Sequence, residues 1–382
     1  MSRDLVLIAI ALFTWGLGEG LFLYFQPVYL QQLGADPIEI GSILGGFGLA
    51  TAFSHLPAGY LADRLGRKGL MIAAWALGMV STWIMALASG LPVFVIGFLL
   101  YGTTLFVLSP LNSYVTAARG RLSVGRAITL VSAFYNLGAV LGPWIGGQVG
   151  DRMGLRQTYY LAGWIFIVST LVILFIRPQP VERVTYNKEN SRWLNNPRYH
   201  VYLAVIFLAT FAMYLPQPLS PNFLENVRGL NLRQIGQLYS ISSIGVVTLN
   251  LRLGQLPARI GFLLGQAAVG AFALILWQGS GLPAYTIGFF LLGGFRTDRS
   301  LGVAQVRELV PPEKMGIAYG LTETVGAAAV VLTAPLAGFL FTMNPFWMYT
   351  LGAGLIFLSL LISMRFSPVS KDTPVPAPGQ IS

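Results

Sequence analysis

Cysteine is absent from this chain of 382 residues, and histidine occurs only twice, at His55 and His200. Without thiols the chain can form neither disulfides nor thiolate metal sites, and two histidines are too few for a multi-histidine metal centre. The loops between apolar runs are also too short to hold an active site. These absences argue against an enzyme, and we expect no metal and no bound cofactor.

Charged side chains are scarce as well. They make up 10% of the residues, against roughly 25% in soluble globular proteins, while 55% of the residues are hydrophobic. The mean hydropathy is +0.67. The formal charge is +10, but most Lys and Arg residues lie in short segments between apolar runs, as membrane topology requires. The composition predicts an all-α membrane protein in contact with a lipid bilayer, and it disfavours nucleic-acid binding.

The apolar residues fall into twelve runs, each long enough to cross a bilayer as a helix. The first six lie near 5–30, 38–62, 69–89, 92–117, 125–150 and 158–176. The second six lie near 199–226, 233–257, 261–279, 283–306, 315–341 and 345–366. We therefore expect twelve transmembrane helices.

The polar segments between and after these runs divide the chain. An N-terminal bundle at 1–176 is followed by a linker at 177–198, which is rich in Asn and Pro. A C-terminal bundle follows at 199–366, and residues 367–382 have the composition of a disordered tail.

The distribution of positive charge predicts the orientation. If the N-terminus is inside, seventeen of the 24 Lys and Arg residues lie on the cytoplasmic side and only four on the opposite side. The excess of positive charge marks the cytoplasmic side. Both termini and the linker are therefore expected in the cytoplasm, with the chain in the inner membrane.

A charged turn joins the second and third runs, with the sequence Gly-Tyr-Leu-Ala-Asp-Arg-Leu-Gly-Arg-Lys at 59–68. It resembles the loop signature of the major facilitator superfamily of transporters. The resemblance implies two pseudo-symmetric six-helix bundles around a central cavity and transport by alternating access. It also implies a monomer, a small-molecule substrate and a cytoplasmic conformational gate in this turn. The gate residues are Gly59, Asp63, Arg64, Gly66, Arg67 and Lys68.

Two weak internal repeats agree with two related halves. The segment Gly254–Gly261 is a worn copy of the charged turn, with Ala258 in place of the aspartate. Phe98–Gly102 in the fourth run similarly matches Phe290–Gly294 in the tenth.

A glycine and proline motif lies in the fifth run, at 138–147. Three of its glycines recur every four residues, so they share one helical face and allow another helix to approach closely; the proline bends the helix. The motif resembles a signature of the proton-coupled drug antiporter branch, although small residues are common in any membrane bundle. The residues concerned are Gly138, Gly142, Pro143, Gly146 and Gly147. The arginine that this family carries in its fourth helix is missing here, and Tyr101 is the nearest polar group.

Five ionisable residues lie near the middle of apolar runs: Glu19, Arg296, Asp298, Arg299 and Glu323. An ionised group at the bilayer centre costs about 2.5–3.5 kcal/mol on insertion scales, so such groups face partners or a wet cavity. Glu19 is the best proton carrier, with Glu323 and Asp298 as further candidates. A purely structural salt-bridge set is the competing interpretation.

The candidate substrate cavity combines the two arginines with aromatic and amide side chains. Its predicted residues are Arg296, Arg299, Tyr24, Tyr101, Tyr135, Asn136, Tyr214 and Gln217. The leading hypothesis is an antiporter, driven by the proton gradient, that exports a small amphipathic compound. The alternative is a transporter of an organic anion or lipid-like acid, with Arg296 and Arg299 as counter-ions. A non-transporting receptor or a membrane enzyme is the third class.

Overall fold

The computed structural model describes residues 2–179, 196–311 and 314–368, without the side chains of 55–65, 109 and 316. Most of the predicted linker and tail lies outside the described residues. The same holds for the side chains of three predicted gate residues, Gly59, Asp63 and Arg64.

Seven α-helices form the first half of the described chain. They are α1 (Arg3–Phe22), α2 (Gln26–Gln32), α3 (Pro37–Leu87), α4 (Leu91–Thr103), α5 (Leu108–Ala118), α6 (Val124–Met153) and α7 (Leu155–Leu174). Eight more form the second half. They are α8 (Pro197–Tyr214), α9 (Ser220–Asn226), α10 (Leu232–Leu253), α11 (Ala258–Gln278), α12 (Leu282–Leu292), α13 (Gly294–Gln305), α14 (Met315–Met343) and α15 (Trp347–Phe366).

These helices correspond to the twelve apolar runs of the sequence. Four runs are interrupted, so that α1 and α2, α4 and α5, α8 and α9, and α12 and α13 each make up one run. By length and composition, eight helical segments of the described chain can cross a membrane. The run that contains α13 is not among them; it is divided into two helices of 11 and 12 residues, and it carries Arg296, Asp298 and Arg299. The described residues form helices and no strands, as expected for an all-α membrane protein.

Within the charged turn between the second and third runs, Gly66 is the residue whose backbone departs from helical geometry. Helix α3 contains both runs and is kinked at Gly66, which has φ 67° and ψ 163°. This left-handed φ is readily available only to glycine. Directly after it, Arg67 Nη1 lies 3.5 Å from Gln179 Oε1, beyond the last helix of the first half.

Helix α1 packs directly on α6 through the glycines of the proline motif. A Cβ atom added at Gly138 would lie 2.3 Å from the carbonyl oxygen of Phe13, and one at Gly142 would lie 2.6 Å from Gly20 Cα. At Gly146 it would lie 2.2 Å from the carbonyl oxygen of Leu21. The two backbones are therefore in contact at three points over about two helical turns, which no larger residue would allow.

Two pairs of helices join the halves in a similar way. Between α6 and α10, a Cβ at Gly236 would lie 2.2 Å from the Pro143 carbonyl oxygen. Between α3 and α14, a Cβ at Gly338 would lie 2.2 Å from the Pro37 carbonyl oxygen. Because successive spans alternate in direction, both contacts lie towards the side of the molecule opposite the N-terminus.

Polar contacts reinforce this closed side. Asn222 Nδ2 donates hydrogen bonds to the Pro27 carbonyl oxygen at 3.1 Å and to Gln31 Oε1 at 2.6 Å. Asn226 Nδ2 donates to the same Gln31 oxygen at 2.9 Å. We call this Gln31–Asn222–Asn226 cluster the outer clasp. The halves are thus closed on the side opposite the N-terminus.

We expect the substitution Gly146→Val to lower the unfolding temperature, because the new side chain would collide with the backbone of Leu21. Overpacking of this kind costs about 1–3 kcal/mol. Thermal unfolding of the purified protein in detergent measures the effect. Gly354→Val is the matched control, since a Cβ at Gly354 meets nothing within 4 Å. Equal stability of the two variants would contradict the tight contact between α1 and α6.

Candidate functional site

Glu19 lies on α1 at the contact with α6. Its Oε2 accepts a hydrogen bond of 2.7 Å from the Tyr135 hydroxyl. The neighbouring Gly16 makes this possible, because a Cβ there would lie 2.3 Å from the Tyr135 carbonyl oxygen. The glycines around Glu19 therefore bring the two backbones close enough for a carboxylate on one helix to meet a phenol on the other.

A cluster of aromatic rings that includes Tyr101 lies beside Glu19. Trp15 stacks on Phe166 with ring centroids 4.4 Å apart, and it lies 6.1 Å from the ring of Tyr101. The Tyr101 hydroxyl lies near Glu19 but has no hydrogen-bond partner among the described residues. Tyr101 thus lies in the immediate neighbourhood of the acid.

Arg296 approaches the same acid from the second half. It extends from α13 towards Tyr135, with Tyr24 and Glu19 within electrostatic range. Tyr24 in turn stacks on Tyr239 of α10, with centroids 4.4 Å apart. The fold therefore collects Glu19, Tyr135 and Arg296 at one place between the halves, although they are far apart in sequence.

Arg299 has a different partner, although it lies one turn after Arg296. Its Nε donates to Glu323 Oε2 of α14 at 3.0 Å, and Nη2 contacts the same oxygen. The two side chains are 49% and 43% exposed, so this ion pair borders an open space. Arg296 thus faces the other half, whereas Arg299 is tied to its own.

Asp298 faces away from both arginines. It is 2% exposed, and a Cβ at Gly265 of α11 would lie 2.9 Å from its Cβ. The side chain of Gln266 is close to its carboxylate, yet Oδ1 has no hydrogen-bond partner in the described part of the chain. Gln266 itself is bonded to Ser359 and Ser363 of α15. Asp298 therefore belongs to the interior of the second half.

The other predicted cavity residues are arranged less closely. Tyr214 lies 5.9 Å from Phe295 between ring centroids. Gln217 Nε2 donates to the Met213 carbonyl oxygen of its own helix segment at 2.7 Å. Asn136 is partly buried beside Tyr135. The structure gives Gln217 and Asn136 no contact with the Glu19 cluster.

Three aromatic residues of the site were not among the sequence candidates: Trp15, Tyr239 and Phe295. Trp15 could have been found, because it precedes Glu19 by one helical turn and so shares its face. Tyr239 and Phe295 carry no such signal, since only the packing of α10 and α13 brings them to the cavity.

Known proteins resemble this chain in sequence and in structure. The family model described as Major Facilitator Superfamily matches residues 8–294. Multidrug resistance protein MdtG of Salmonella arizonae is 30% identical over 277 residues, covering 68% of each chain. Multidrug resistance protein 2 of Bacillus subtilis is 20% identical over 380 residues, covering 94% of each.

The fold also matches solved structures. A crystal structure of a mutant of the nucleoside transporter NupG superposes with a TM-score of 0.85 at 16% identity. The alignment covers 96% of this chain and all of that one. At this identity the likeness concerns the fold. Relatives and neighbours are transporters, which points away from an enzyme. The chain therefore belongs to the Major Facilitator Superfamily, as a multi-pass membrane transporter built on its fold.

Proposed function

We propose that the protein is a proton-coupled antiporter that exports a small amphipathic organic compound. The observation that carries this proposal is the position of Glu19. It is a carboxylate at mid-membrane depth, bonded to Tyr135 of its own half and faced by Arg296 of the other half. The names of the multidrug resistance relatives agree with export.

Protonation of Glu19 changes the attraction between the halves. The ionised carboxylate is stabilised by the Tyr135 hydroxyl and by the positive charge of Arg296. A proton removes the negative charge and with it the attraction to Arg296. The energy of the arrangement in which these groups are close therefore depends on whether Glu19 carries a proton. Such a difference between two states is what coupling requires.

The charges of the cavity favour a neutral or cationic substrate. Arg299 is paired with Glu323, and Arg296 lies within electrostatic range of Glu19, so the two arginines are matched in number by two acids. Protons and a cationic compound would then compete for the same carboxylate. The organic-anion alternative requires Arg299 to leave Glu323 for the substrate, which this geometry supports less well.

Aromatic rings supply the apolar part of the cavity. Tyr24 and Tyr239 stack between the halves, and Tyr214 and Phe295 lie on the second half. Rings with a few polar groups suit a flat amphipathic ligand. We infer that such a ligand lies between these rings, with its polar end near Glu19.

Alternating access completes the proposal. The structure is closed on the side opposite the N-terminus, where the outer clasp lies. With both termini cytoplasmic in an inner membrane, this is an inward-facing arrangement of a monomer. Export requires the clasp to open, and the proton gradient would supply the energy.

We expect Glu19→Gln to abolish transport driven by a pH gradient while substrate exchange continues. Glutamine keeps the size and polarity of the side chain but cannot titrate. The assay follows dansyl-ethylenediamine, a fluorescent amphipathic cation, in proteoliposomes with an imposed pH gradient. Glu225→Gln, which changes an acid of α9 outside this cluster, is the matched control, and a Glu19→Gln variant still fully driven by the gradient would move the coupling role to another acid.

Substrate polarity is tested with three dansyl compounds that share one ring system: dansyl-ethylenediamine, dansyl amide and dansyl glycine. We expect the cationic compound to bind most tightly in a fluorescence titration. Arg296→Lys should leave that preference intact, because the lysine keeps the positive charge near Glu19. If dansyl glycine binds best and Arg296→Lys weakens its binding several-fold by removing the guanidinium fork, the anion alternative is correct.

The outer clasp is tested by cross-linking, for which a chain without cysteine is convenient. In the double variant Gln31→Cys with Asn226→Cys, a short thiol cross-linker should join α2 to α9 and stop transport of dansyl-ethylenediamine. Each single-cysteine variant, treated in the same way, is the control. Undiminished transport in the cross-linked double variant would show that the halves do not separate at the clasp.

A further inference from the structure

The second half contains a small cavity that the coupling role of Glu19 does not use. It lies among α8, α13 and α14 and has a volume of about 10 Å³, enough for the centre of one water molecule. Its lining combines apolar residues with four oxygen-bearing side chains and an arginine. The polar lining residues are Thr210, Asp298, Arg299, Thr322 and Glu323.

One of these side chains lacks a partner although it is buried. Asp298 is 2% exposed, and its Oδ1 accepts no hydrogen bond from any described residue. Thr210, which is 6% exposed, lines the same cavity. Buried polar groups are normally satisfied, so an unpartnered carboxylate oxygen beside a hydroxyl on one cavity indicates a bound group between them.

Among the described residues Asp298 has no positively charged partner. Its neighbour Arg299 is turned to Glu323, and the Tyr202 hydroxyl of α8 donates to the Gly302 carbonyl oxygen at 2.7 Å. Helix α11 presents the uncharged Gln266. The charged residues of α10 and α11 lie at the helix ends. A buried carboxylate without a charged partner is stable only when it is neutralised.

We propose that Asp298 and this cavity form a second proton-binding site, reached from the central cavity through Glu323 and one water molecule. Glu323 is 43% exposed and borders both spaces. A proton taken up by its carboxylate passes to the water and from the water to an oxygen of Asp298. The water is held by Asp298 Oδ1 and the Thr210 hydroxyl. The Thr322 hydroxyl already donates a hydrogen bond to the Ala318 carbonyl oxygen at 2.8 Å.

This inference rests on the proposed proton coupling and extends it from one proton to two. Exchange of one proton for one monovalent cationic substrate moves no net charge. If Asp298 carries a second proton in each cycle, one net positive charge enters for each cation that leaves. Transport would then respond to the membrane potential as well as to the pH gradient.

The first test is direct and needs no substrate. Infrared spectra of the purified transporter, recorded in acidic and alkaline buffer, show protonated carboxyl groups by their C=O stretch. We expect Asp298→Asn to remove one titrating band that persists in Glu19→Gln. Thr210→Val keeps the acid and should shift the frequency of that band, whereas Thr324→Val, whose hydroxyl is bonded to its own helix, should not.

Two results of this test would overturn the proposal. One is a set of titrating bands that is the same with and without Asp298. The other is thermal stabilisation by Na⁺ that is lost in Asp298→Asn, because the cavity would then hold a metal cation in place of the proton.

The second test measures charge movement. Proteoliposomes with potassium and valinomycin set the membrane potential while dansyl-ethylenediamine transport is followed. The unmodified protein should respond to the potential, and Asp298→Asn should keep pH-driven transport but lose that response. An unchanged response in Asp298→Asn would refute the second proton. Loss of pH-driven transport in Glu19→Gln tests the first proposal separately, so the two proposals can fail independently.

Discussion

Backbone contact between glycine-bearing helices is the constraint on which the rest of the structure depends. In a bilayer, lipid tails are as apolar as leucine, so helices associate through close packing and hydrogen bonds. Here the carbonyl groups of Phe13 and Leu21 rest against glycines of α6, and those of Pro143 and Pro37 rest against glycines across the two halves. Each contact excludes even one added carbon atom. These contacts bring α1 against α6 and the first half against the second.

The glycines allow polar side chains of different helices to meet. Glu19 meets Tyr135 because Gly16 lets α1 touch the backbone of α6. Arg296 reaches them because α10 and α6 join the halves nearby. A charge at this depth is tolerated because partners or an open cavity face it.

The second half contributes more charged side chains to the site than the first. It supplies Arg296 to the contact between the halves, keeps Arg299 and Glu323 as an ion pair, and buries Asp298 behind them. The first half contributes Glu19 and a set of aromatic rings. A pseudo-symmetric scaffold thus carries an asymmetric set of charged and aromatic side chains.

The sequence alone determined the class of protein, the helical runs and the acids and arginines that lie within them. These follow from local composition, because each span must be apolar over its own length and every charge inside it is conspicuous. It also located the glycine motif of α6, since spacing by four residues places side chains on one face. The tertiary structure decided which groups meet. Arg296 and Arg299 are three residues apart, and spacing suggests one shared role, yet one faces Glu19 and the other pairs with Glu323. Asp298 turns to α11, and Tyr239 reaches Tyr24. Such pairings depend on how helices from distant parts of the chain cross, which no local pattern of residues records.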